Sequence, residues 1–277
     1  MFNTLSYISK IIVLSILCIS CQSSKKENNT TKLSPTTKIL NYNNTVKTIH
    51  IFVALCDNTY QGIVPVPKSI GNGQDPANNL YWGCSNGIKS YFEKSKQWIL
   101  IDIRKMDDVK LERIIFKHRF SKFYLIADAY NGMYIKNCTQ DFLKSSCGEL
   151  KDTVNVDNTT LGVSGNSSLL SYIGHDGLMD FKIDNEFVNT DGVKRNTIIL
   201  ACYSKHFFSP YLKKANVNPM LWTTNLMCPE AYTIHDAIQA YIDGENEEGI
   251  RNKGAKAYNR YQKCGENAAK NLLVTGW

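Results

Sequence analysis

The stretch "NTIILACYSKHFF" (196–208) runs apolar and β-branched through Leu200 and then breaks at Cys202. A second stretch, "SYIGHDGLMDF" (171–181), breaks in the same way at His175. Short apolar runs bounded by Gly and polar residues read as buried strands. Each run therefore predicts a core strand that delivers one chemically capable side chain to its carboxyl end. A thiol reacts as thiolate and needs a base or a lowered pKa. A histidine on the next strand end is suited to supply that base.

Outward from this pair, strands and helices alternate. "KTIHIFVALC" (47–56), "KQWILIDIRK" (96–105) and "SKFYLIADAY" (121–130) read as strands, and "NPMLWTTN" (218–225) as a sixth, short one. "LYWGCSNGIKSYFEKS" (80–95) has helical spacing at Leu80, Cys84, Ile88, Tyr91 and Phe92. "DDVKLERIIFKHRF" (107–120) predicts a helix starting at Asp107, with Val109, Leu111, Ile114 and Ile115 on its apolar face. Further helices are expected over 137–150, over "AYTIHDAIQAYIDG" (231–244) and over about 247–271; the polar segment 151–167 reads as a loop. The alternation predicts an α/β domain with a mainly parallel sheet and helices on both faces. In such sheets ligands bind beyond the strands' carboxyl ends, where His175, Cys202, Asp57 and Asp128 are all expected.

The start of the chain carries a different signal. "MFNTLSYISK" precedes the ten-residue apolar run "IIVLSILCIS", which is too short for a bilayer-spanning helix, about 20 residues, and reads as a signal peptide over 1–20. Leu17, Ile19, Ser20 and Cys21 resemble a bacterial lipobox, which implies lipidation at Cys21 and a cell-envelope location, anchored to a lipid bilayer. Residues 21–46, rich in Asn, Thr, Ser and Lys, read as a flexible tether. Residues 47–277 are left as one folded domain with a sizeable core.

The formal charge of +7 falls to +6 without Lys10, and no Lys/Arg run exceeds two residues. A nucleic-acid surface would require a basic stripe or patch, so no nucleic-acid partner is expected. Seven cysteines lie beyond Cys21, an odd number that leaves at least one free thiol in an oxidising compartment. Cys138 and Cys147 could pair in a disulfide. Among these seven there is no Cys-x-x-Cys pair, and Cys202 with His206 is the only tight Cys/His spacing, which does not make a tetrahedral zinc site. No motif implies a metal or an organic cofactor.

With the strand order and these two motifs in view, residues 47–245 resemble the caspase-like (clan CD) cysteine peptidases. "GHDG" (174–177) is similar to that group's His-Gly turn, and "LACYS" (200–204) to its cysteine turn, with histidine first in the chain. The resemblance implies a three-layer caspase-like sandwich and hydrolysis of a peptide or protein substrate. It implies Cys202 as nucleophile, His175 as general base and acid, and Gly177 in the oxyanion hole. The chain departs from the pattern in placing Asp176 between His175 and Gly177, and in the short interval of 27 residues between His175 and Cys202. Asp57 or Asp128 could orient His175 or line a pocket, or could serve only as turn residues. Trp222, Thr223 and Thr224 follow the cysteine strand, where this group builds its substrate pocket. Two alternatives stand beside this reading. Cys202 could pair with His235 in the papain-like order. The domain could instead be a non-enzymatic binding lipoprotein, with aromatic residues of "NNLYWG" (78–83) and Trp222 as a platform for sugar or peptide.

Overall fold

In the computed structural model, residues 41–277 are described. The expected signal peptide, Cys21 and most of the tether lie outside them. Among the described residues ten strands and six α-helices follow one another. β1 (Lys47–Ala54), α1 (Ile88–Glu93), β2 (Trp98–Lys105), β3 (Lys110–His118), β4 (Phe123–Tyr130) and α2 (Ile135–Cys147) form the first half. β5 (Lys151–Val156), β6 (Thr159–Ser164), β7 (Leu169–Gly174), β8 (Asn196–Leu200), α3 (Ser204–Ala215) and β9 (Asn218–Thr223) come next. α4 (Ala231–Ile242), α5 (Glu247–Gln262), α6 (Glu266–Leu272) and β10 (Leu273–Val274) close the chain.

Eight strands make one mixed sheet in the order β10-β9-β8-β7-β1-β4-β3-β2. Its centre, β9-β8-β7-β1-β4, is parallel, and β10, β3 and β2 are antiparallel additions at the edges. β1 is buried from Thr48 to Ala54 and alternates between two cores. Ile49, Ile51 and Val53 join one core with Ile88 and Phe92 of α1, Ile234 and Ile238 of α4 and Ile250 of α5. Phe52 and Ala54 join another with Phe142 of α2 and Phe208 and Leu212 of α3. The sheet is thus covered by helices on its two faces, as the alternation predicts.

Several local expectations are corrected. The helix expected over 107–120 is β3, because its Ile114-Ile115-Phe116 run pairs in register with Ala127, Ile126 and Leu125 of β4. Asp107 does act as a local cap, its Oδ1 accepting from the N–H groups of Val109 and Lys110, but it closes a strand-to-strand turn. The helix expected over 80–95 contracts to Ile88–Glu93. A Cβ at Gly83 would collide with the Ala77 carbonyl, so the chain packs on itself there in turns. The expected loop 151–167 is the β5–β6 hairpin, whose alternate residues Val154, Val156, Leu161 and Val163 form a third small core with Ile126. The last helix divides into α5 and α6 at Lys263, which has a left-handed φ of 54°. Cys138 and Cys147 are both free and both in α2. Nine residues of helix separate them by about 13 Å at the 1.5 Å rise per residue, far beyond the roughly 7 Å that a disulfide tolerates between Cα atoms.

Residues before β1 also contact the domain. Asn43 donates its N–H to the Thr160 carbonyl, and Val46 packs on the hairpin core.

Candidate active site

β7 and β8 are adjacent and parallel, with Ile173 paired to Leu200. His175 and Cys202 each lie two residues beyond that rung, so the register carries both to the same rim. Both line one cleft of about 390 Å³. Its other walls come from the loop after β1 (Gly62, Ile63, Val64, Val66), from Leu80 and Tyr81, from Met179, and from the segment Leu226–Glu230 after β9.

Each of the two turns is built for its side chain. Gly174, at φ +133°, is in a conformation open to glycine, and a Cβ there would sit 2.5 Å from the Ala54 carbonyl oxygen. The chain can therefore leave β7 abruptly and present His175. At the other turn, Tyr203 adopts a left-handed φ of 50°, so that strand gives way to helix within three residues. Thr223 and Ser204 tie this corner down. The Thr223 hydroxyl donates to the Ala201 carbonyl, the Ser204 N–H donates to Thr223 Oγ1 at 3.1 Å, and Ser204 Oγ donates to the Ile199 carbonyl at 3.0 Å.

His175 is buried, and its Nε2 donates to Asp180 Oδ2 at 2.7 Å. Asp180 also accepts from the Gly62 N–H at 2.9 Å, which holds the carboxylate in place. With Nε2 committed to Asp180, Nδ1 is left as the basic nitrogen. A base oriented by a carboxylate is the arrangement found in nucleophile–base–orienter triads. Asp180 is not singled out by the sequence; its one visible signal is a carboxylate five residues after the histidine.

Cys202 is half-buried and in contact with the backbone of Met227, whose N–H points at Sγ from 3.4 Å. Its thiol is not hydrogen-bonded to His175. Burial raises the Cys202 pKa, the Met227 N–H lowers it and the nearby Asp176 raises it. The positive end of α3, which begins two residues later, acts in favour of the thiolate.

Asp176 is buried. Its Oδ1 accepts from the Leu178 N–H at 3.0 Å, while its Oδ2 has no partner among the described residues. Burial pushes its carboxyl up to about 8, with Asp180 adding to the effect and the Leu178 N–H opposing it. Gly177 is buried too, against Phe181 and Ile135, and does not line the cleft, while the Tyr172 hydroxyl donates to the His175 carbonyl at 2.7 Å.

The remaining candidates lie elsewhere. Asp57 Oδ1 accepts from the N–H groups of Thr59 and Tyr60, and its Oδ2 from those of Gly73 and the Gln74 amide. It thereby shapes the loop that supplies Gly62 to Val66, without lining the cleft itself. Asp128 lies within β4 rather than beyond its end. It accepts from Arg113 at 2.6 and 2.8 Å and from His50 at 3.1 Å. Burial alone would raise its pKa, but the Arg113 and His50 partners hold it well below the usual carboxylate range. His50 Nδ1 accepts from the Ser164 N–H, so its Nε2 carries the proton given to Asp128. Neither Asp57 nor Asp128 is bonded to His175.

Trp222 is buried against Trp277, and its Nε1 donates to the Gly276 carbonyl. Thr224 bonds the Asn271 and Leu272 carbonyls. The cleft wall comes instead from the residues just after them. Trp82 is wholly buried, with Nε1 on Glu112. Neither Trp82 nor Trp222 can therefore serve as a surface platform. His235 lies in α4 beside a different cleft, bonded to Ser95 and Asp236, where it closes the α1–β2 turn. His206 is exposed on α3.

Among the described residues no cluster of three or more His, Cys, Asp or Glu side chains could hold a metal ion, and no helix is long and apolar enough to cross a membrane. Comparison with protein-family models, with curated proteins and with solved structures finds no match to this chain.

Proposed function

We propose that this domain is a divergent caspase-like cysteine peptidase, a three-layer sandwich of that type, held at a cell envelope by a lipid on Cys21. One observation carries the reading. The adjacent parallel strands β7 and β8 end in His175 and Cys202 on one cleft, and His175 is fixed by Asp180. In this scheme His175 Nδ1 takes the Cys202 proton, and the thiolate attacks the scissile carbonyl carbon. The proton then passes to the leaving amine, and water hydrolyses the thioester through the same base. Because Gly177 does not line the cleft, the reading takes the Cys202 N–H, just ahead of α3, as the oxyanion donor.

A second reading rests on the thiol itself. Cys202 contacts the Met227 backbone instead of the imidazole, and burial raises its pKa. Both features suit a ligand-binding cleft with a resting thiol.

Alkylation separates the two. Cys228 and Cys264 are exposed and will label in any case. The test is therefore the rate at each site, resolved by peptide mapping after iodoacetamide at neutral pH. The peptidase reading expects half-buried Cys202 to label faster than Cys228 and Cys264. It expects that advantage to vanish in His175→Ala and to fall by about tenfold or more in Asp180→Asn, which loses the carboxylate orienter. Cys202 labelling no faster than its exposed neighbours, and indifferent to His175, would establish the binding reading.

A further inference from the structure

The walls of the cleft are almost wholly apolar: Ile63, Val64, Val66, Leu80, Met179, Leu226, Met227 and Pro229. Glu230 is the one carboxylate among its lining residues, and no Lys or Arg lines it. Glu230 takes part in no ion pair among the described residues. Its single side-chain hydrogen bond comes from the Tyr232 hydroxyl to Oε2, at 3.1 Å, so Oε1 has no partner among the described residues. It is also the residue that precedes α4, so its carboxylate sits at the positive end of that helix. An unneutralised carboxylate among apolar walls matches a particular ligand shape, an aliphatic stem with a cationic head. Apolar walls cover the methylenes while the head pairs with the acid. An acidic side chain would meet the same carboxylate with like charge and no lining Lys or Arg to compensate.

From this we infer that Glu230 sets the specificity of the cleft, selecting substrates with lysine or arginine on the acyl side of the bond attacked by Cys202. The inference rests on the peptidase reading above. Tyr232 is a positioning residue for Glu230, its hydroxyl donating to Oε2 and leaving Oε1 without a partner among the described residues.

The probe is a matched set of peptidyl acyloxymethyl ketones that differ only in the residue next to the warhead: Lys, Arg, Leu or Asp. Each alkylates an active thiol, and mass spectrometry locates the adduct. The full chain should be modified at Cys202 by the Lys and Arg reagents first, and by the Asp reagent last. Glu230→Gln should lower the rate for Lys and Arg by about ten- to a hundredfold, the span of one charge-assisted hydrogen bond. The rate for Leu should stay within a few-fold, which also shows that the variant is folded and its thiol competent. Glu230→Lys should raise the rate for Asp above that for Lys. A Leu or Asp preference at Cys202 in the unmodified protein, or a Glu230→Gln variant with the original ranking, overturns the specificity inference and leaves the peptidase reading intact. No adduct at Cys202 from any of the four reagents, in protein whose Cys228 still reacts with iodoacetamide, overturns both.

Discussion

Asp176 is the residue at which chemistry and stability meet. Its carboxyl is buried, half satisfied, and holds its proton up to about 8 against an ordinary aspartate value of 3.8. The folded state therefore keeps a proton that the unfolded chain gives up near pH 4. It follows that stability falls as pH rises from about 4 through about 8, with the full penalty present above that. Asp176→Asn keeps the oxygen that caps Leu178 and removes the charge. The variant should match the parent near pH 4 and gain on it as pH rises. The gain should level off above pH 8 at a few kcal/mol, roughly 6 at most. Urea melts of both proteins at pH 4.5, 7 and 9 check this; a gain that is constant with pH would show that Asp176 does not titrate across that window. Below about pH 8 a neutral Asp176 also leaves Cys202 free of the like charge that opposes its thiolate.

At the scale of elements, the site depends on two corners more than on the strands they terminate. Gly174→Ala forces a side chain into a φ of +133° and within 2.5 Å of a carbonyl oxygen that belongs to the neighbouring strand. The expected cost is about 2–4 kcal/mol, together with loss of any selective Cys202 labelling, because β7 would no longer release His175 toward the cleft. A thermal melt alongside the alkylation assay checks both effects. The strands bearing these corners are legible in the sequence because a short β-branched run with an abrupt polar end packs well only as a buried strand. β3 is not, since the spacing of Val109, Leu111, Ile114 and Ile115 fits a helix and only pairing with β4 decides against one. α3 is hidden by Pro210 inside it. Asp180 goes unmarked because its partnership with His175 is made by a turn of the chain, and no periodicity points to it. Asp128 draws attention by its position near a strand end, while its true partners, Arg113 and His50, come from two other strands.

At the scale of the whole molecule, the last five residues secure the edge of the sheet nearest the cysteine corner. Leu273 is fully buried, its carbonyl accepts from Arg251 Nε at 2.8 Å, and β10 pairs with Trp222 and Thr223. Deleting residues 273–277 removes this strand and the Trp277 ring packed on Trp222. The expected loss is roughly 4 kcal/mol, the cost of one large buried apolar side chain with its hydrogen bonds. A chemical-denaturation midpoint that shifts by that amount checks it, and an unchanged midpoint would show that the tail is ornamental to the fold. The course of β1 has a further consequence. The chain enters the domain beside the β5–β6 hairpin, at the amino end of β1, where Asn43 meets Thr160. The cleft opens past the carboxyl ends of the same parallel strands. An eight-residue strand, about 26 Å long, separates the two. The point where the chain enters the domain and the cleft thus lie at opposite ends of β1.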